Sequence, residues 1–384
     1  MTSVVKVILA SRLFTPEVGA AAFRLQALAD GLAEAGADVR VLTTTPPART
    51  PVPRQRFAVS RWPVLRDAGG NVRGYVQYLS YDIPAFFRLL LTGADVVVSE
   101  PPPTTGLAVA LSSWLRRRPF VYYAADVWTE ALSAMDVPPV VVRIMRAVEG
   151  FVLRRAHRVV AVSDPVAYQV EKFGIPAASI AVVGNGVDTT VFSEEGEKAA
   201  ADAAYFVYTG TMSEWQGADI FIRALPSVLA AHPGVSIRFF GQGADEPHLR
   251  TLAARLAPGS VHFGGVVPPA DAARWIRGAA AALVSIKPDQ GYDFAKPTKI
   301  YAAAACGTPV IFAGQGDGAA VVADNGLGTA AEYEVDAVAK AMAEALDGQD
   351  TRRSARAAWV REHASLAASG RLAAAEVLSA AARS

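Results

Sequence analysis

The sequence predicts an α/β protein built from two doubly wound, mainly parallel sheets that face each other across a cleft. Three observations carry that expectation. The chain has 384 residues, more than one hydrophobic core usually organises. Short β-branched runs alternate with longer segments of helical spacing, the pattern of a sheet wound with helices on both faces. That alternation runs once, stops at a charged stretch, and then begins again.

The first series of strands is VVKVILA (4–10), VRVLTT (39–44), DVVVSE (95–100), FVYYA (120–124) and RVVAVS (158–163). These near-continuous apolar runs suit parallel strands buried on both faces. Helical spacing fills 20–35, 82–92, 105–116 and 139–155. The second series is YFVYTG (205–210), VSIRFFG (235–241), SVHFGG (260–265), AALVSI (281–286) and TPVIFA (308–313). The stretch EEGEKAAADAA (194–204) has no strand pattern and reads as the linker. The expected domains are therefore 1–192 and 200–361, with a C-terminal helix at about 362–384 packing back on the first.

Composition narrows the function. Net charge is +1, which argues against a general nucleic-acid binder. Residues 1–190 hold 20 basic and 15 acidic side chains, so of the 37 and 36 in the whole chain 17 and 21 remain for 191–384. The first half is thus mildly basic. The single cysteine, Cys306, excludes an intrachain disulfide and a cysteine zinc cluster, and fits a cytoplasmic protein. The start MTSVVKVILASRLF reads as a first strand rather than a leader. No apolar run reaches the roughly 20 residues of a membrane helix, which leaves peripheral contact with the inner membrane face open. RIMRAVEGFVLRRAHR (143–158), basic on one side and apolar on the other, reads either as a membrane-surface helix or, more often, as a packed helix with a solvated face.

Ligands in open α/β sheets bind beyond the carboxyl ends of the strands, so the segments after strands carry the candidates. Gly19 precedes a helix whose first turn is small (Ala20, Ala21, Ala22). Its amides could approach a phosphate closely, or the glycine could simply turn the chain. Gly241-Gln242-Gly243 is a second glycine loop after a strand; alone, such a loop is more often a turn. In DFAKPTKIYAAAACGTPVIFAG (293–314), Pro297 suits a helix start, and Thr298 and Lys299 fall in the same turn. A hydroxyl, an ammonium and free N–H groups at one positive helix end could form a diphosphate clamp, or the segment could be an ordinary capped helix with a solvated lysine. Asp126, just past a strand, can bind a substrate hydroxyl or cap the helix after it. No Ser–His–Asp, His-x-x-x-His or Walker pattern is present, and the five histidines do not pair at metal-ligand spacing.

In order, these stretches resemble the family-4 glycosyltransferases of the GT-B fold over nearly the whole chain. TPEVGAAAFR is similar to the family's first glycine loop, SDPVAYQVEKFGIPAASIAVVGNGVDTTVF to the segment closing its first domain, and YTGTMSEWQGADIFIRAL and FFGQGADEPHLRTLA to segments of its donor domain. FAKPTKIYAAAACGTPV resembles the P-S-K variant of colanic-acid and O-antigen type transferases. The resemblance implies a UDP- or GDP-sugar held mainly by the C-terminal domain, an acceptor held mainly by the N-terminal domain, retention of anomeric configuration, and no metal or other cofactor.

Four usual polar contacts of the family are missing. The glutamate pair corresponds to Phe294 and Ala302, and the Arg and Lys of the segment opening the donor domain correspond to Thr211 and Gln216. Asp293, one position off, is the candidate substitute for the first glutamate, and Lys287, Lys296 and Lys299 are the cations left. Lys299 and Asp126 are the expected catalytic residues, with Gly19, Thr298, Lys299, Gly241, Gly243, Thr211 and Gln216 around the donor and Asp293 near its sugar. The expected function is retaining glycosyl transfer; a sugar-nucleotide epimerase or hydrolase, or a non-catalytic GT-B partner subunit, are the alternatives.

Overall fold

The structure, a computed structural model, describes residues 4–17, 19–47, 50–67, 70–72, 74–129, 138–201 and 203–382. The chain divides into two compact units. One runs to Asn185 and resumes at Leu366; the other is Gly186–Ser365. The expected boundary at 192 lies inside the second unit, for a local reason. Val187 donates its N–H to the Ala364 carbonyl at 2.9 Å and bridges to Ser365. Further on, Glu194 accepts from Ser354 Oγ at 2.7 Å and Arg277 Nε donates to the Glu197 carbonyl at 2.9 Å, so the stretch read as a linker is pinned to the second unit.

Among the described residues the first unit holds seven parallel strands: β1 (Lys6–Ala10), β2 (Asp38–Thr44), β3 (Ala58–Trp62), β4 (Val96–Ser99), β5 (Phe120–Ala124), β6 (Arg158–Ala161) and β7 (Ile180–Val182). Their order is β3-β2-β1-β4-β5-β6-β7. The central strands are buried along their length, and their apolar residues on both faces demand a helical layer on each side. Helices α1 (Ala20–Glu34) and α13 (Leu366–Ala382) cover one face. On the other lie α2 (Tyr75–Leu91), α3 (Pro103–Arg116), α4 (Pro139–Arg155) and the short α5 (Asp164–Glu171). A Cβ added at Gly370 of α13 would lie 2.3 Å from the Ala27 carbonyl of α1, so these helices touch backbone to backbone. The ion pair Arg158–Glu376, at 2.6 Å, ties α13 to the sheet.

The second unit repeats the plan with six parallel strands: β8 (Tyr205–Thr209), β9 (Ser236–Phe240), β10 (Val261–Phe263), β11 (Ala281–Ser285), β12 (Val310–Ala313) and β13 (Gly328–Ala331), in the order β10-β9-β8-β11-β12-β13. One face carries α6 (Asp219–Ala231), α7 (Glu246–Leu256) and α11 (Val335–Asp347). The other carries α8 (Pro269–Gly278), α9 (Thr298–Ala305), α10 (Asp317–Asp324) and α12 (Arg353–His363).

The sequence expectation omits β3, β7 and β13, which are edge strands of three to five residues. It also starts α2 at residue 82, whereas the helix begins at Tyr75 and carries Pro84 in its interior. In each sheet the winding direction reverses beside one central pair, β1 with β4 and β8 with β11. Ligands of doubly wound sheets bind at the carboxyl ends of such a pair.

Candidate active site

At the carboxyl end of β8 the chain turns through Gly210, Thr211 and Met212, and at the end of β9 through Gly241, Gln242 and Gly243. These two loops zip together. Gly210 N–H donates to Phe240 O at 2.8 Å, Met212 N–H to Gln242 O at 3.1 Å, and Asp245 N–H back to Met212 O at 3.1 Å. A Cβ at Gly241 (φ +134°) would fall 1.9 Å from Gly210 O, and one at Gly243 would fall 1.9 Å from Met212 O. Both glycines are required by this close approach.

Lys299 stands in the first turn of α9, one residue after Thr298, with Pro297 as the residue before the helix. Its Nζ is buried, has no hydrogen-bond partner and lies 3.9 Å from the centre of the Tyr208 ring. Its stem passes beside Gly210, where an added Cβ would meet Cε at 3.6 Å. Burial pushes this amine down to about 7. The ring face offers only partial compensation for the lost water. A buried cationic group with unused donors is a site waiting for an anion.

Tyr208 is fixed in turn. Its hydroxyl lies 2.9 Å from both the Thr211 carbonyl and Gln216 Oε1, and Gln216 Oε1 also accepts from Ser213 N–H at 3.4 Å. Gln216, expected at the donor, is buried, and its oxygen is used within the loop, by Tyr208 and Ser213. Thr211 and Thr298 are exposed beside this cluster.

The other two lysines differ in kind. Lys287 is exposed and Lys296 pairs with Asp317 at 3.3 Å. The Asp293 carbonyl accepts from Asp317 N–H at 2.9 Å, and its Oδ1 is buried without a hydrogen-bond partner. Phe294 is exposed, near Tyr292, which stacks on Trp215 at 4.4 Å; Ala302 is buried in α9.

In the first unit, Ser11 follows β1 and Glu100 follows β4, and they meet at 2.6 Å. Arg24 of α1 reaches Glu100 at 3.4 Å, with both side chains almost fully buried, and its guanidinium also lies over the Tyr123 ring at 5.5 Å. Burial raises the Glu100 carboxyl, and Arg24 and Ser11 pull it back. Asp126, after β5, is exposed as a residue, yet partial burial of its carboxyl raises it too, against the charges of Arg24 and Arg12. Arg12 donates to Val72 O at 2.9 Å and lies over Tyr78. The helix read after Asp126 falls largely on 130–137, outside the described residues. Gly19 precedes α1 with extended backbone, and a Cβ there would meet nothing within 4 Å.

Lys299, Thr298, Thr211, Gln216, Gly241 and Gly243 are thus brought together in one unit, while Gly19 and Asp126 belong to the other. Sequence reasoning missed Tyr208, Ser11, Arg24 and Glu100. A buried charge pair 76 positions apart leaves no local spacing to read.

The two units correspond to two family models. Residues 19–186 match the glycosyl transferase 4-like domain and residues 203–348 match the glycosyl transferases group 1 domain. The chain is 30% identical over 260 residues to a D-inositol 3-phosphate glycosyltransferase of Kribbella flavida, covering 62% of this chain and 59% of that protein. It spans about half the length of other relatives of that description, 48% in Acidothermus cellulolyticus. Among solved structures it is similar to a glycosyltransferase from Rickettsia africae (TM-score 0.65, 14% identity, 98% of this chain and 99% of that one). Anabaena Alr3699/HepE in complex with UDP and glucose gives a TM-score of 0.59 at 18% identity, again over 98% and 99%. The chain belongs to the family-4 glycosyltransferases of the GT-B fold.

Proposed function

We propose that this protein transfers a glycosyl group from a nucleoside-diphosphate sugar to an acceptor hydroxyl with retention of configuration. The carrying observation is the Lys299 amine, buried without a hydrogen-bond partner beside the zipped β8 and β9 loops. A diphosphate there gives the amine its missing acceptors and keeps it protonated. As the bond from the anomeric carbon to the diphosphate oxygen breaks, Lys299 and the first turn of α9, with Thr298, stabilise the developing charge. The acceptor oxygen bonds to the anomeric carbon on the face the diphosphate leaves, and the departing phosphate takes its proton. Asp126 and the Gly19 amides are the proposed contacts of the first unit with substrate. The reading uses cations and helix N–H groups and no metal. UDP is the favoured nucleotide, supported by the UDP-bound Anabaena neighbour.

A thermal-shift screen tests it. A nucleoside diphosphate at a hundredfold excess over Kd should stabilise the protein by about 2.7 kcal/mol. No response to UDP or GDP would remove the donor reading, and nucleotide release without any acceptor would favour a hydrolase or epimerase. Because Phe294 and Ala302 offer the sugar no hydrogen bond, UDP should bind within about tenfold of the full donor, or about 1.4 kcal/mol. A larger gain from the sugar, measured by calorimetry, would place further polar contacts there, with Asp293 the first to examine.

A further inference from the structure

Helices α2, α3 and α4 pack side by side as one layer on the first unit's sheet. The inner side of α2 is fully used, with Tyr78, Tyr81, Asp82, Ala85 and Leu89 buried. Its outer side is also apolar. Tyr75, Leu79, Ile83, Phe87 and Leu91 follow at every fourth residue and all are exposed, Leu91 at 88%. At 1.5 Å per residue this ridge is about 24 Å long. Leu111, Trp114 and Leu115 are likewise exposed on the neighbouring α3, and Val140, Ile144 and Phe151 on α4. Soluble monomers rarely leave so large an apolar surface without a partner.

The charges of the layer say which partner. Its three helices contain two acids, Asp82 and Glu149, and both are buried. Asp82 accepts from Thr105 Oγ1 at 2.6 Å, and Glu149 accepts from Trp128 N–H at 2.8 Å. Among the described residues, the exposed charges on these helices and in the residue that follows each are arginines: Arg116, Arg117, Arg143, Arg146, Arg154 and Arg155. A second copy placed symmetrically on this face would set arginine against arginine. An anionic surface with an apolar interior matches both features, and tryptophan and tyrosine suit its boundary. Among the described residues no helix is long and apolar enough to cross a membrane, so the contact lies in the interfacial plane.

We propose that the outer face of α2, α3 and α4 docks this protein on an anionic lipid bilayer, the apolar ridge entering the headgroup boundary and the arginines meeting lipid phosphates. The inference does not depend on the glycosyl-transfer reading. Flotation with phosphatidylcholine vesicles, with and without phosphatidylglycerol, tests it. The protein should float with the anionic vesicles and be released by high salt. The pair Ile83→Glu with Phe87→Glu should abolish flotation while melting at the wild-type temperature, since both positions are exposed. The pair Arg143→Glu with Arg155→Glu should weaken anionic binding by at least about fivefold per arginine and leave the fold intact. Equal flotation with neutral and anionic vesicles would overturn the charge argument. No flotation would overturn the proposal; should the wild type then be a dimer that Ile83→Glu with Phe87→Glu dissociates, the occupant is a second copy.

Discussion

Replacing Lys299 by Met is expected to lower kcat/KM roughly 30- to 1000-fold, a loss of about 2–4 kcal/mol of transition-state stabilisation. Methionine keeps most of the apolar stem beside Gly210 and over Tyr208 but removes the charge. The same substitution should raise the melting temperature of the free protein. In the unfolded chain the amine titrates near its ordinary 10.5, and in the folded protein near 7. Between those values the native state binds fewer protons than the unfolded one, so stability rises with pH through the window. The cost of burying this amine is therefore fully present below pH 7 and gone above the unfolded value. Lower activity with higher stability separates a functional lysine from a structural one. Diphosphate binding should draw a proton onto Lys299 at pH 8, measurable by calorimetry in buffers of different ionisation enthalpy, and affinity should fall as pH rises above about 7. Lys287→Met should do much less, because that side chain stands in solvent. If Lys287→Met abolishes turnover and Lys299→Met does not, the phosphate sits on another loop.

The two sheets were legible because their central strands need apolar residues on both faces, and runs such as VVVS and FVYYA can serve little else. The edge strands β3, β7 and β13 were not. AVSRW is half exposed and GTAA has almost no side chain to bury, so neither carries a strand signal until a neighbour supplies the ladder. The segment with Pro297, Thr298 and Lys299 was readable because a helix start is a local event. That Lys299 would be buried on an aromatic ring was not, since Tyr208 lies on another strand. The Gly241 loop was ambiguous for a related reason. Its glycines are demanded by carbonyls of the Gly210–Met212 segment, which the loop's own sequence does not contain. At Gln216, a polar residue aligned with a donor contact, the partners of the side-chain oxygen, Tyr208 and Ser213, were likewise not readable from the alignment.

Arg24→Met should destabilise the first unit strongly, by about 3–5 kcal/mol at neutral pH. Arg24 and Glu100 are both nearly inaccessible, and the pair joins α1 to the end of β4 at the point where the sheet reverses. Removing the guanidinium leaves a carboxylate in the interior supported by the Ser11 hydroxyl and the charge of Arg12. Burial already raises Glu100, and Arg24 is the main influence opposing that rise. Without it the carboxyl holds its proton to a higher pH in the native state than in the unfolded chain. The variant's loss of stability should therefore grow as pH rises and shrink on acidification. Glu100→Gln in the Arg24→Met background should restore most of the stability at pH 8, because a neutral amide carries no comparable charge penalty. Hydrogen exchange read on β1 and β4 confines the measurement to this unit. A loss that is the same at pH 5.5 and pH 8, and that Glu100→Gln does not relieve, would mean Arg24 acts through its packing on Tyr123 rather than through its charge.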